Sequence, residues 1–141
     1  MSRARYLVDT SAFVRIARNK DLQAVWREEL ASGLVAACSI TELELLFSAR
    51  SKAHREDLKA VLWTLCAWVV MPDQVFERAS EVQAALTEAG AHRSAGPVDL
   101  LVAAAAEVHR LALIHYDADF DQIAAVTGQR MYWVADPGSI D

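Results

Sequence analysis

"RYLVDTSAF", residues 5–13, decides how the rest of the chain is read. Tyr6, Leu7 and Val8 favour a buried strand, and they run directly into Asp9, two hydroxyls at Thr10 and Ser11, and an apolar stretch. A carboxylate at the end of such a strand has two readings. It is a turn former or helix cap, or it is one arm of a metal site at the open edge of a sheet. The residues farther along the chain bear on the choice.

Strand-like apolar runs alternate with helical patterns. Segments 6–8, 34–37, 68–71, 111–116 and 131–134 read as strands. Helices are expected at 10–18, 21–30, 40–50, 53–65, 74–89 and 97–110, with a turn and short helix in "DADFDQIAAVTG". Asp73 is the expected cap of the 74–89 helix and Gly90 its stop, and Pro97 suits a first helical position. Strands separated by helices predict an α/β fold: a central parallel sheet covered on both faces, in one domain spanning 1–141. Ligands of such sheets bind beyond the carboxyl ends of the strands.

Four acids from distant segments fall at that edge. Asp9 follows the first strand, Glu42 lies in the first turn of the helix after the second, Asp99 in the first turn of "PVDLLVAAAA", and Asp117 directly after "LALIHY". Each also fits a local role. Acids near helix N-termini are favoured by the helix dipole, Ser39 and Glu42 have the spacing of a capping box, and Asp117 suits an Asx turn. The apolar neighbours in "PVDLL" and "ITELELL" are less usual for a solvated cap. Four converging carboxylates would repel one another without cations, and hard oxygen donors suit Mg²⁺ or Mn²⁺.

"YLVDTSAF", "SITELELLFSAR", "GPVDLLVAAAA" and "LIHYDADFDQIA", taken together and in this order, resemble the motif blocks of PIN-domain ribonucleases, and within them the VapC toxins of bacterial toxin–antitoxin pairs. The resemblance implies a PIN-like α/β/α sandwich and a Mg²⁺-dependent endoribonuclease that leaves a 5′-phosphate and a 3′-hydroxyl, with Mn²⁺ as a substitute ion. It carries the family's acidic positions to Asp9, Glu42, Asp99 and Asp117, and its small hydroxyl to Thr10 or Ser11, with Ser11 favoured. Asp9, Asp99 and Asp117 are then metal ligands, and Glu42 binds a second metal or orients water. Asp119 and Asp121 are substitutes for Asp117. The implied partners are a structured RNA such as tRNA or rRNA, a small antitoxin lying in an apolar groove with a basic side chain among the acids, and a second copy of the chain.

Composition is compatible with these expectations. The 141 residues are 54% apolar, with a mean hydropathy of +0.15, and carry a net charge of −5. An acidic balance argues against nucleic acid, but acids gathered around cations would account for most of it. The longest uncharged run, 60–72, is too short to cross a bilayer, and a cytoplasmic protein without a signal peptide is expected. Cys38 and Cys66 sit in apolar company and read as buried thiols. Arg15, Arg50, Lys52, Arg55 and Arg93 are candidate RNA-backbone contacts, or simply solvated charge. Trp26, Trp63, Trp68 and Trp133 read as core or interface, and His115 as a packing or hydrogen-bonding residue near the site. No nucleophile elbow and no phosphate-binding glycine loop is present. A PIN-like scaffold that binds without cutting, and a metal hydrolase of another phosphate ester, are the competing functions.

Overall fold

A computed structural model describes residues 3–141. The order of elements is β1 (Tyr6–Val8), α1 (Thr10–Arg18), α2 (Lys20–Val25), α3 (Arg27–Ala31), β2 (Val35–Ala37), α4 (Ser39–Phe47), α5 (Lys52–Leu65), β3 (Ala67–Trp68), α6 (Val75–Glu88), α7 (Pro97–Val108), β4 (Ala112–His115), α8 (Asp119–Thr127) and β5 (Met131–Trp133). The strands form one parallel sheet in the order β3-β2-β1-β4-β5. β1 lies at the centre, and the chain leaves it toward β2 on one side and later returns to β4 on the other. The crevice between the ends of β1 and β4 is therefore the point where strand order reverses.

Side chains alternate along each strand and feed two cores. Leu7, Ala36 and Leu113 point to the face covered by α6, α7 and α8, where they meet Val75, Leu86, Val102, Phe120 and Ile123. Val8, Val35, Ala37 and Ile114 point to the other, where Phe13, Ile16, Leu22, Leu45 and Leu62 pack. The result is an α/β/α sandwich. Cys38 and Cys66 are buried and unpaired, and burial pushes the Cys66 thiol up to about 12. Among the described residues no helix is long and apolar enough to cross a membrane.

The elements depart from expectation where tertiary contacts compete with local pattern. Segment 21–30 is two helices, because Trp26 leaves helical values (φ −98°, ψ 9°) and sets its ring edge-on to Tyr6 at 5.5 Å. β3 covers Ala67–Trp68 rather than reaching 71, and the Val70 carbonyl beyond it lies 2.7 Å from His109 Nε2 instead of pairing in the sheet. α6 starts after Gln74 with no side-chain cap, so Asp73 does not cap it. α4 starts after Cys38, also uncapped by a side chain, which makes Ser39 its first helical residue and leaves the expected capping box unformed.

α6 and α7 end with the same hydrogen-bond pattern. After α6, Gly90 adopts φ +73° and Ala91 N–H donates to the Leu86 carbonyl (2.7 Å). After α7, Arg110 takes the equivalent position at φ +59°, and Leu111 N–H donates to the Ala106 carbonyl (2.8 Å). A left-handed conformation costs a residue with a Cβ about 1 kcal/mol, which glycine avoids.

Candidate active site

Asp9 caps α1 from the end of β1. Its Oδ2 accepts the Ser11 backbone N–H (3.0 Å) and the Ser11 hydroxyl (2.6 Å). The same hydroxyl accepts the Tyr116 N–H at 2.9 Å, so Ser11 bridges the ends of β1 and β4. Of the two hydroxyls, Ser11 thus holds Asp9, while Thr10 Oγ1 is buried without a hydrogen-bond partner among the described residues. Asp9 is 3% exposed, and its Oδ1 accepts no hydrogen bond among the described residues. Burial raises its pKa, the Ser11 bonds pull it back, and the charge of Glu44 raises it further.

Three more acids converge opposite. Pro97 starts α7, and Asp99 in its first turn accepts the Gly96 N–H at 3.3 Å. Asp117 follows β4 and accepts the Asp119 N–H at 2.9 Å, which turns the chain into α8. One carboxylate oxygen each from Asp99, Asp117 and Asp119 lies within 4.8 Å of the others. Partial burial, then the charge of Asp9, hold the Asp99 carboxyl up at about 6, despite the Gly96 bond; Asp117 and Glu44 add to the rise. Asp119 is raised by burial and by Asp117. Asp121 turns away and accepts the Trp133 indole N–H at 3.2 Å.

The acid that α4 contributes to this field is Glu44. Thr41 is buried, and its hydroxyl donates to the Val8 carbonyl (3.4 Å), tying α4 to the end of β1. A residue three positions on shares that face of the helix, which is where Glu44 lies, and its charge raises both Asp9 and Asp99. Glu42 is rotated about 100° from Thr41. Its carboxylate accepts the Trp63 indole N–H on α5. Asp99, Asp117 and Asp119 thus share one ligand-distance group, which does not include Asp9; Asp9, held by Ser11, and Glu44 act on Asp99 through their charge, and Glu42 lies against Trp63. The Thr41–x–x–Glu44 spacing after β2 was the available signal. It was missed because Glu42 occupies the first turn, where an acid is usual.

His115, at the end of β4, is fully buried with its ring 5.0 Å from those of Phe120 and Trp133. Its Nδ1 accepts the Asp117 N–H (3.2 Å), so the neutral ring carries its proton on Nε2, which has no hydrogen-bond partner among the described residues. Burial lowers its pKa against the opposing pull of Asp121 and Asp117. Of the candidate RNA contacts, Arg15 donates to the Ser11 carbonyl (2.8 Å) and stacks on Tyr116 at 4.5 Å. Arg50, Lys52 and Arg55 are exposed around the start of α5, and Arg93 is exposed in the loop before α7.

The donor set fits a hard divalent cation. All the convergent side-chain ligands are carboxylates, none has a lysine or arginine paired to it among the described residues, and one buried oxygen of Asp9 is left without a partner.

A parallel sandwich with acids gathered where strand order reverses defines a class, and comparison with known proteins identifies it. The PIN domain profile matches residues 6–126. Ribonuclease VapC21 of Mycobacterium tuberculosis (strain ATCC 25618 / H37Rv) is 42% identical over 135 residues, covering 96% of this chain and 97% of the relative. Ribonuclease VapC51 of the same strain is 41% identical over 138 residues, covering 97% and 98%. The fold is shared with DNA-bound VapBC from Salmonella typhimurium, at a TM-score of 0.75, 18% identity and coverage of 94% of this chain and 99% of that one. The chain belongs to the PIN-domain family and, within it, to the VapC ribonuclease toxins.

Proposed function

We propose that this toxin is a Mg²⁺- or Mn²⁺-dependent endoribonuclease of the cytoplasm that cuts structured RNA, tRNA or rRNA. The observation that carries the reading is Asp9 Oδ1: a buried carboxylate oxygen with no hydrogen-bond partner among the described residues, in the field of Asp99 and Glu44. Asp9, Asp99 and Asp117 would hold the cation, with Asp119, which shares a ligand-distance group with Asp99 and Asp117, beside them. The chemistry such a cation supplies when bound is Lewis acidity, which acidifies water and offsets the negative charge of a phosphodiester.

The chain's own groups do the positioning. Ser11 fixes Asp9 in one orientation by donating its hydroxyl proton to Oδ2 while accepting from the Tyr116 N–H. Glu44 takes the part expected of Glu42, accepting a hydrogen bond from the attacking water and aiming it. Arg15, spread over Tyr116, offers its guanidinium to a phosphate next to the one being cut.

The same reading includes a small antitoxin and a homodimer. A groove of about 660 Å³ between α1, α4 and α5 has an apolar floor of Phe13, Val14, Leu45, Leu58 and Val61, with Arg50 and His54 at its rim. An amphipathic segment of a partner fits such a groove. Trp68, Val70 and Phe76 are exposed large apolar side chains, which a second copy would cover.

The test is cleavage of total tRNA and rRNA, and of small phosphate esters, in EDTA, Mg²⁺ and Mn²⁺. Metal-dependent RNA cleavage with inert small esters supports the reading. RNA bound but uncut in every metal returns the scaffold, and turnover of small esters alone returns a general phosphate-ester hydrolase.

A further inference from the structure

The acids occupy the carboxyl ends of β1 and β4; the opposite ends of the strands carry the reverse charge. Arg5 directly precedes β1, Arg130 directly precedes β5, and Arg110 stands two residues before β4. These three strands are neighbours in the sheet, with Ala112 N–H donating to the Arg5 carbonyl (3.0 Å) and Leu113 N–H to the Arg130 carbonyl (3.1 Å). Register alone therefore brings three arginines to one edge. Together with Tyr6 and Tyr132 they line a cleft of about 370 Å³ with no carboxylate in its wall among the described residues.

Nothing in the described structure neutralises this cleft. The ion pairs among the described residues belong to Arg78, with Glu81 and Glu107. The guanidiniums of Arg5, Arg110 and Arg130 make no hydrogen bond there either, and all three residues are exposed. Three unpaired guanidiniums in a chain of net charge −5 are a local reversal of its field. A second, independent observation singles out Arg110. It holds φ +59° in the position that Gly90 fills at the end of α6. A glycine would take that conformation without strain, so the side chain at 110 is present against a backbone preference.

We propose that this cleft binds the phosphodiester backbone of the RNA substrate, away from the scissile bond, with a base on the exposed ring of Tyr132. The proposal rests on the ribonuclease reading above and extends it to how the substrate is held. Guanidiniums match phosphate oxygens bidentately, and an aromatic face beside them suits an unpaired base. An RNA chain is favoured over a free nucleotide because the same short strands carry both ends. Arg5 and Asp9 are separated by about 13 Å of strand, so one RNA segment running along the outer edge of β5 engages the acids and the arginines together. Free polyphosphate nucleotides share the chemistry and are separated by the test.

Binding is measured on the full chain in EDTA, by anisotropy of a labelled 20-nucleotide single-stranded RNA, with ATP as an alternative ligand. Arg130→Gln and Arg110→Gly, singly and combined, are compared with Arg27→Gln, which removes the same charge from the exposed surface of α3. The combined variant is expected to bind about tenfold or more weakly and to lower the slope of log K against log salt by about 1.4, two phosphate contacts at about 0.7 each. In Mg²⁺, KM should rise with little change in kcat. Arg110→Gly should melt no lower than the wild type, which excludes misfolding as the cause, and Arg27→Gln should bind within about twofold. Wild-type affinity and salt slope in the combined variant overturn the proposal. So does loss of ATP binding with RNA binding intact, which makes the cleft a free-nucleotide site. Wild-type protein that cuts no RNA refutes the ribonuclease reading instead, whatever the variants do.

Discussion

Replacing Asp99 with Asn tests whether the acid cluster is built for a cation rather than for stability. In the metal-free protein the Asp99 carboxyl titrates at about 6 rather than 3.8, because burial and the Asp9 charge disfavour its ionised form. The folded state thus holds a proton that the unfolded chain has released. The Asp99 contribution is fully present below pH 3.8 and is lost as pH rises through about 6. At pH 7.5 the ionised carboxylate is a net cost. A shift of this size corresponds to about 3 kcal/mol, and with part of the group still wetted about 1–2 kcal/mol is expected. Asn retains an oxygen to accept the Gly96 N–H. Asp99→Asn in EDTA at pH 7.5 should therefore melt about 3–8 °C above the wild type, with a flatter dependence between pH 4 and 7. Mn²⁺ at about a hundred times its Kd should stabilise the wild type by about 2.7 kcal/mol and the variant far less, and the variant should cut no RNA. The measurements are melting curves across pH with EDTA or Mn²⁺, and an RNA cleavage assay. A variant that melts below the wild type in EDTA, or gains as much from Mn²⁺, refutes the reasoning.

Glu44→Gln should abolish most cleavage with little loss of stability, whereas Glu42→Gln, which keeps an acceptor for the Trp63 indole, should retain activity; cleavage rates of the two proteins decide between the acids, and an inactive Glu42→Gln enzyme with an active Glu44→Gln enzyme reverses the assignment. Ser11→Ala removes the donor to Asp9 and leaves the Tyr116 N–H without its acceptor, so about 1–3 kcal/mol of stability should be lost, read as a lower denaturation midpoint, with weaker Mn²⁺ binding by calorimetry. Light scattering should give a dimer at micromolar concentration, and a monomer there would remove the homodimer. Co-expression of the antitoxin should relieve toxicity, and Val61→Glu in the α1–α4–α5 groove should weaken that protection without reducing RNase activity in vitro.

The order of elements and the placement of Asp9 and Asp117 were legible because they depend on local pattern. A short apolar run ending in Asp is a strand end wherever the chain goes, and alternation of strands with helices leaves a parallel sheet as the economical solution. Asp99 was legible for a similar reason, since Pro97 marks a helix start and the first turn of a helix lies at the same edge. The choice between Glu42 and Glu44 depended on which face of α4 is buried. That face is set by the Thr41 hydroxyl reaching the Val8 carbonyl, a contact spanning 33 positions of sequence. Helical periodicity supplies a spacing but no absolute rotation, so the packing partner had to supply it. Trp26 broke an otherwise good helical pattern for the same kind of reason, by docking on Tyr6. The arginine cleft is the clearest case. Arg5, Arg110 and Arg130 are unremarkable as separate positions, and only the adjacency of β1, β4 and β5 puts them at one edge. Sequence by itself determined the alternation of strands and helices and which acids follow the strand ends. Tertiary structure decided which side chains share a face, because strand neighbours and helix rotation are long-range properties that no local pattern encodes.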